Sequence, residues 1–273
     1  MVNYVKFKRI FIYFFLTVFA IIILFPYYWM FITAFKPLAE GLTLSLIPRH
    51  PTLSNFIRIL TSYNFGRYFL NSLIVAVSAA TFSTLFATLA AFAFAKRDFV
   101  FKNGLFALFL STLMIPGLMF MIPQFAIVYK LGWINTYKAM VIPHLANVFG
   151  LLLLTQFMKT IPDSLLDAAR IDGASPYMIF WKIVVPLSLP IIATVFLLSF
   201  QFHWNNFLWQ LIVATDEKMY TVPVGLAMFR SAHEELHTLK MAASCISIIP
   251  IATLFLFTQR YFVEGILKGA LKG

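Results

Sequence analysis

Six stretches of this chain are too long and too apolar to be covered by anything but lipid. They lie at roughly 10–34, 69–95, 104–128, 138–158, 186–212 and 241–262, and a helix crosses the hydrocarbon core with about 20 mainly apolar residues. Backbone N–H and C=O groups in lipid need partners within their own segment or a closed barrel. Nothing here has the alternation of barrel strands, so the runs are expected as helices. Composition agrees. The 273 residues are 61% hydrophobic and 11% charged, with 32 phenylalanines, whereas a soluble domain is about 25% charged. The expected fold class is therefore all-α, a polytopic membrane protein with six transmembrane helices.

The net charge of +11 does not imply nucleic-acid binding, because the basic residues sit between apolar runs rather than along one stripe. Six spans put both termini on one side. That side then carries Lys6, Lys8, Arg9, Lys96, Arg97, Lys102, Lys159, Arg170, Lys182, Arg260, Lys268 and Lys272, twelve of the 21 basic residues. The basic cluster ahead of the first span assigns both termini, the 96–103 loop and the 159–185 segment to the cytoplasm. The apolar run from Ile10 to Ala34 exceeds the ~7–15 residues of a signal peptide and has no A-x-A site after it, so it reads as an uncleaved first span. Cys245 is the single cysteine and lies inside an apolar run, which excludes an intramolecular disulfide. Pro116, Pro123 and Pro143 lie in or at the ends of spans; they read either as kinks serving a gate or as ordinary bundle packing.

One segment breaks the apolar pattern. Residues 162–190, "PDSLLDAARIDGASPYMIFWKIVVPLSLP", carry Asp163, Asp167, Arg170, Asp172 and Lys182 between two spans. They read as two short helices and a bend. Thr160-Ile-Pro-Asp163 resembles a capping box, Gly173 supplies a left-handed helix stop, and Ser175-Pro176 supplies an N-cap with proline at N1. Pro186 is expected to end the second helix as the fifth span begins. In that helix Tyr177, Phe180, Trp181 and Val184 recur at i, i+3, i+4 and i+7, predicting one bulky apolar face. Ala168 and Ala169 permit close approach, with Asp167 and Asp172 at the edges of the first helix. Such an elbow suits a groove on a soluble protein. The alternative, an amphipathic helix lying on lipid, conflicts with three acids near an anionic leaflet.

The pattern Asp167-Ala168-Ala169, three residues, Gly173, nine residues, Ile183-Val184-Val185-Pro186 resembles the EAA loop of ABC importer permeases, E-A-A-x3-G-x9-I-x-L-P, with Asp167 for Glu and Val185 for Leu. "IPRHPTLSNF" (47–56), "WNNFLW" (204–209), "YTVPVGL" (220–226) and "QRYFVEGILKGALKG" (259–273) together resemble the second permease subunit of maltose-type carbohydrate importers. This resemblance covers nearly the whole chain. It implies a single transmembrane domain over 1–273, a coupling loop at 159–185 and a cytoplasmic tail at 263–273 that reaches between ATPase subunits. It further implies that Asp167, Ala168, Ala169, Asp172, Gly173, Tyr177 and Phe180 seat the elbow on an ATP-hydrolysing subunit. The implied partners are a second homologous permease, two ATP-binding subunits and an extracytoplasmic solute-binding protein, in a cytoplasmic membrane. ATP and Mg would be bound by those ATPase subunits. This chain lacks G-x4-G-K-[ST] and is expected to hold no cofactor and to catalyse nothing itself. A glycerol phosphate or another polyol stays open as the cargo. A secondary transporter would need inverted repeats and paired buried ionisable groups, which are not apparent.

Two further signals bear on function. His203, Asn205 and Asn206 near the end of the fifth span, and His144 and Asn147 in the fourth, are polar groups at membrane depth. They read either as lining a translocation path or gate, or as interhelical hydrogen bonds. His233-Glu234-Glu235-Leu236-His237 matches H-E-x-x-H, but a zinc site needs a third ligand, and none is evident on the same side of the membrane. No metal site is expected. The tail after Arg260 has three glycines and few large apolar residues, so by itself it is expected to be mobile.

Overall fold

A computed structural model describes residues 2–229 and 237–270, with side chains placed over 9–229 and 237–259. The described residues form helices joined by loops and turns, without a strand. In order the helices are α1 Val2–Ala34, α2 Ser54–Ser62, α3 Phe65–Lys96, α4 Lys102–Ser111, α5 Met121–Lys130, α6 Tyr137–Val141 and α7 Val148–Lys159. They continue with α8 Asp163–Ile171, α9 Pro176–Ile179, α10 Val185–Leu187, α11 Leu189–Trp204, α12 Leu208–Val213, α13 Val222–Met228 and α14 His237–Ala270. The chain packs as two compact units, Met1–Gly66 with Gly225–Ile249 and Arg67–Val224 with Pro250–Gly273.

Three helices are long and apolar enough to cross a membrane alone: Arg9–Ala34, Phe65–Lys96 and His237–Gln259. The other three expected spans are broken. Lys102–Met114 and Gly117–Lys130 meet at 99°, Tyr137–His144 and Val148–Lys159 at 43°, and Pro176–Leu187 and Leu189–Trp204 at 77°. Pro116 explains the first break, since it forces Ile115 into extended backbone at ψ 123°. Pro123 makes no kink, because it sits in the first turn of α5, where a missing N–H costs nothing. Pro186 does not end the elbow helix as expected. It lies inside the helical run, and the bend comes at Ser188, two residues ahead of Pro190. Pro190 lacks an N–H, and its ring would clash with the carbonyl of Pro186 in a continuous helix.

In the first unit, apolar side chains from Ile10 to Tyr28 on α1 stand exposed, a surface suited to lipid. Lys36, just beyond α1, is fully buried; its Nζ donates to Thr43 O at 2.9 Å and lies 4.4 Å above the Trp29 ring. Asn55 ties α2 to this turn, donating to Ala34 O and Lys36 O at 2.8 and 2.7 Å.

In the second unit small residues let helices approach closely. Ala76, Ala79, Ala80, Ala87 and Ala91 are buried along α3, and Ser83 Oγ meets Ser199 Oγ of α11 at 2.8 Å. A methyl group on Gly150 of α7 would lie 2.7 Å from Val195 of α11, so only glycine fits that crossing. These contacts fix α11, which spans about 24 Å at 1.5 Å per residue. The elbow lies at its N-terminal end and a cavity lined by apolar, aromatic and amide side chains at its C-terminal end.

Candidate functional site

The elbow is closed by main-chain bonds that its sequence dictates. Gly173 has φ +79°, its N–H donates to Arg170 O at 3.0 Å, and the Ala174 N–H donates to Ala169 O at 2.9 Å. This is a Schellman stop, with glycine at the left-handed position. Ser175 then caps α9, its hydroxyl accepting the Met178 N–H at 3.3 Å, with Pro176 in the first turn.

The capping-box expectation at Thr160 is corrected. Thr160 Oγ1 donates back to Phe157 O, and Asp163 opens α8 rather than sitting at its third position. Asp163 instead answers a buried cation. Lys96, whose side chain is 3% exposed, donates from Nζ to Ile161 O at 2.6 Å and to Asp163 Oδ1 at 2.8 Å. That hydrogen bond and the Lys96 charge hold the Asp163 carboxyl below the usual carboxylate range.

The predicted single apolar face over Tyr177, Phe180, Trp181 and Val184 is split. Tyr177 and Trp181 are 73% and 41% exposed, while Phe180 and Val184 are buried. A π-helical turn runs over Phe180–Val184, so Ile179 and Val184, five residues apart, bury together. Leu166, Ile179 and Val184 enter a core with Ala87, Ala91, Phe94, Leu154 and Met158, and the Phe180 ring lies 5.2 Å from Phe92. Phe180 therefore anchors the elbow. Asp167, Ala168, Asp172, Gly173 and Tyr177 are exposed and Ala169 is half-buried, with Ile171 beside them 86% exposed. Asp167 Oδ1 accepts from Arg170 Nη1 at 2.6 Å, an exposed pair within one turn.

At the far end of α11, two adjoining cavities of about 840 and 520 Å3 open. His144, Asn205 and Asn206 line the larger, with Gln124, Gln201 and Trp209. His144, Asn147 and His203 line the smaller. The His144 and His203 ring centroids are 5.7 Å apart, and His144 meets Trp209 edge to face at 5.4 Å. Among the described residues His144 Nε2 and His203 Nδ1 have no hydrogen-bond partner. Asn147 has a local task, capping α7 by accepting the Gly150 N–H at 2.8 Å.

Over residues 83–268 the sequence matches the family of binding-protein-dependent transport system inner membrane components. The chain belongs to this family. It is 37% identical over 259 residues to an arabinooligosaccharides transport system permease protein of Halalkalibacterium halodurans, covering 93% of each chain. It is 36% identical, again over 93% of each, to a trehalose/maltose transport system permease protein of Thermococcus litoralis. Its fold matches a solved bacterial ABC transporter involved in the import of the acidic polysaccharide alginate, with TM-score 0.85 and 24% identity. That match covers 94% of this chain and 97% of the other. As a family member the chain is a membrane-embedded component of an ABC transport system.

Some site residues of this family member escaped the sequence reading. Gln124 and Gln201 line the larger cavity. Gln210, which lines neither cavity, is fully buried, with neither amide atom bonded among the described residues. Gln124 and Gln210 are amides within apolar runs, and Gln201 lies one helical turn before Asn205, the signals that would have found them. His233, Glu234, Glu235 and Leu236 lie outside the described residues, as do 271–273. The segment after residue 262, expected as a mobile tail, continues α14 as helix to Ala270.

Proposed function

We propose that this chain is one of two permease subunits of an ATP-driven importer for a neutral carbohydrate, coupled to two ATPase subunits through its 159–185 elbow. The observation that carries this reading is the exposed elbow, closed by Gly173 and anchored on the same helix whose other end borders the two cavities. Ile171, Tyr177, Ala168 and Asp172 are the face offered to the ATPase, and Asp167 forms its charged edge. Movement of the elbow would be carried along α11 to the cavities, where His144, His203, Asn147, Asn205 and Asn206 line the path. ATP and Mg belong to the ATPase subunits, and an extracytoplasmic binding protein delivers the solute. Both termini lie in the cytoplasm.

The relatives handling arabinooligosaccharides and trehalose or maltose support a sugar cargo. So does the lining of both cavities, which among the described residues holds no lysine or arginine to meet a phosphate. The test is ATP hydrolysis by the reconstituted complex with its binding protein. A neutral saccharide should stimulate it, and sn-glycerol 3-phosphate should not. Stimulation by the phosphate alone would overturn the carbohydrate reading.

A further inference from the structure

We infer that the turn at 97–102, between α3 and α4, seats an anionic phospholipid, and that a lipid held there braces the adjoining elbow. The inference goes beyond the importer reading, and its binding test does not depend on transport.

The turn is built at a conformational cost. Phe101 has φ +61°, a left-handed backbone that is unfavourable for a bulky L-residue and open to glycine. Its ring gains little inside the protein in return, being 84% exposed beside Val100 at 82%. Strain of this kind points to a use outside the fold. The turn is nonetheless firmly held. The Phe99 ring lies 5.5 Å from that of buried Phe94, and Lys102 Nζ donates to Arg97 O at 2.6 Å and to Asp98 Oδ1 at 3.2 Å.

Two observations give the chemistry of the occupant. Phe101, Leu105 and Leu108 recur at i, i+4 and i+7, and all three are exposed. The apolar tip therefore continues as a stripe along α4, the first half of a broken span, where acyl chains are the natural cover. At the head of that stripe stand two cations. The Arg97 guanidinium lies 5.8 Å from the Phe92 ring, and the Lys159 ammonium, at the end of α7, lies 5.8 Å from the Phe106 ring of α4. Neither forms an ion pair among the described residues, whereas Lys102 is met by Asp98. Such side chains lay their stems along apolar surface and carry their charges to the headgroup level. An apolar stripe ending in two uncompensated cations fits acyl chains along α4 and a net negative headgroup above them. Lys96, the neighbour of Arg97, donates to Ile161 O and Asp163 Oδ1 of the elbow. A lipid fixed at Arg97 thus steadies that staple.

The test places the full complex in phosphatidylcholine vesicles carrying a trace of photoreactive phosphatidylglycerol or of photoreactive phosphatidylcholine. Adducts on residues 97–108 should form about five- to thirtyfold more with the phosphatidylglycerol, the worth of one or two basic residues at an anionic headgroup. Arg97→Gln combined with Lys159→Gln should remove this preference. Phe101→Gly, which relieves the left-handed strain while deleting the ring, should lower the adducts of both lipids several-fold without loss of assembly. Replacing half of the bulk phosphatidylcholine by phosphatidylglycerol should raise ATP hydrolysis by the wild-type complex and not by the double variant. Equal adducts with the two lipids, or unchanged adducts in Phe101→Gly, would overturn the seat. Crosslinking of this turn to another subunit in place of lipid would overturn it too. No rise in hydrolysis, or a rise that persists in the double variant, would overturn the brace alone.

Discussion

Replacing Gly173 by valine and, separately, by asparagine distinguishes backbone conformation from surface contact at the elbow. A Cβ added at Gly173 meets nothing within 4 Å, so the site has room for a side chain. The difficulty is φ +79°. An L-residue there costs about 1–2 kcal/mol, least for asparagine and most for a β-branched residue. A penalty of that size changes the closed-to-open ratio of the Schellman stop about 5–30-fold. Two amides report the change directly, those of Gly173 and Ala174, which donate to Arg170 O and Ala169 O. In Gly173→Val these amides should exchange with deuterium about 5–30 times faster than in the wild type. Saccharide-stimulated ATP hydrolysis should fall with them, although the protein still reaches the membrane. Gly173→Asn should stay near wild type in both measurements. Unchanged exchange in the valine variant would refute the conformational account. Equal loss of hydrolysis in both variants would instead mean that a flat glycine surface is needed against a partner.

Four other outcomes are expected. Lys96→Met should damage elbow protection from limited proteolysis more than Asp163→Asn, because Lys96 also donates to Ile161 O. The folded Asp163 carboxyl titrates below its ordinary 3.8, so its stabilising contribution is present above that value and lost as pH falls through the lowered one. Asp163→Asn should abolish that acid-side change, whereas its persistence would assign the change to another group. His233→Ala with His237→Ala should leave transport nearly intact; stoichiometric zinc in the wild type, absent from the variant, would establish a metal site. A cysteine introduced by Ala270→Cys in the Cys245→Ser background should resist impermeant thiol reagents added outside cells and crosslink to an ATPase subunit, and external labelling would reverse the orientation.

Local chemistry made much of this protein legible in its sequence. Apolar runs longer than a bilayer's thickness allow only helices, and the Gly173 stop and Ser175-Pro176 restart follow from short-range backbone rules that need no partner. The Asp167-Ala168-Ala169 to Pro186 spacing identified the elbow for the same reason, because its residues are neighbours along the chain. Tertiary packing decided the rest. Periodicity at i, i+3, i+4 and i+7 put Phe180 and Val184 on one face with Tyr177 and Trp181, but a π-helical turn separated them. The local match at Thr160 gave way to Lys96, distant in sequence, whose buried ammonium needed the Asp163 carboxylate. The larger cavity draws Gln124, His144, Gln201 and Trp209 from separate segments, joined by helix crossings such as that at Gly150. Sequence spacing specifies which residues share a helix face, whereas side-chain volume and the pairing of buried polar groups determine which faces meet.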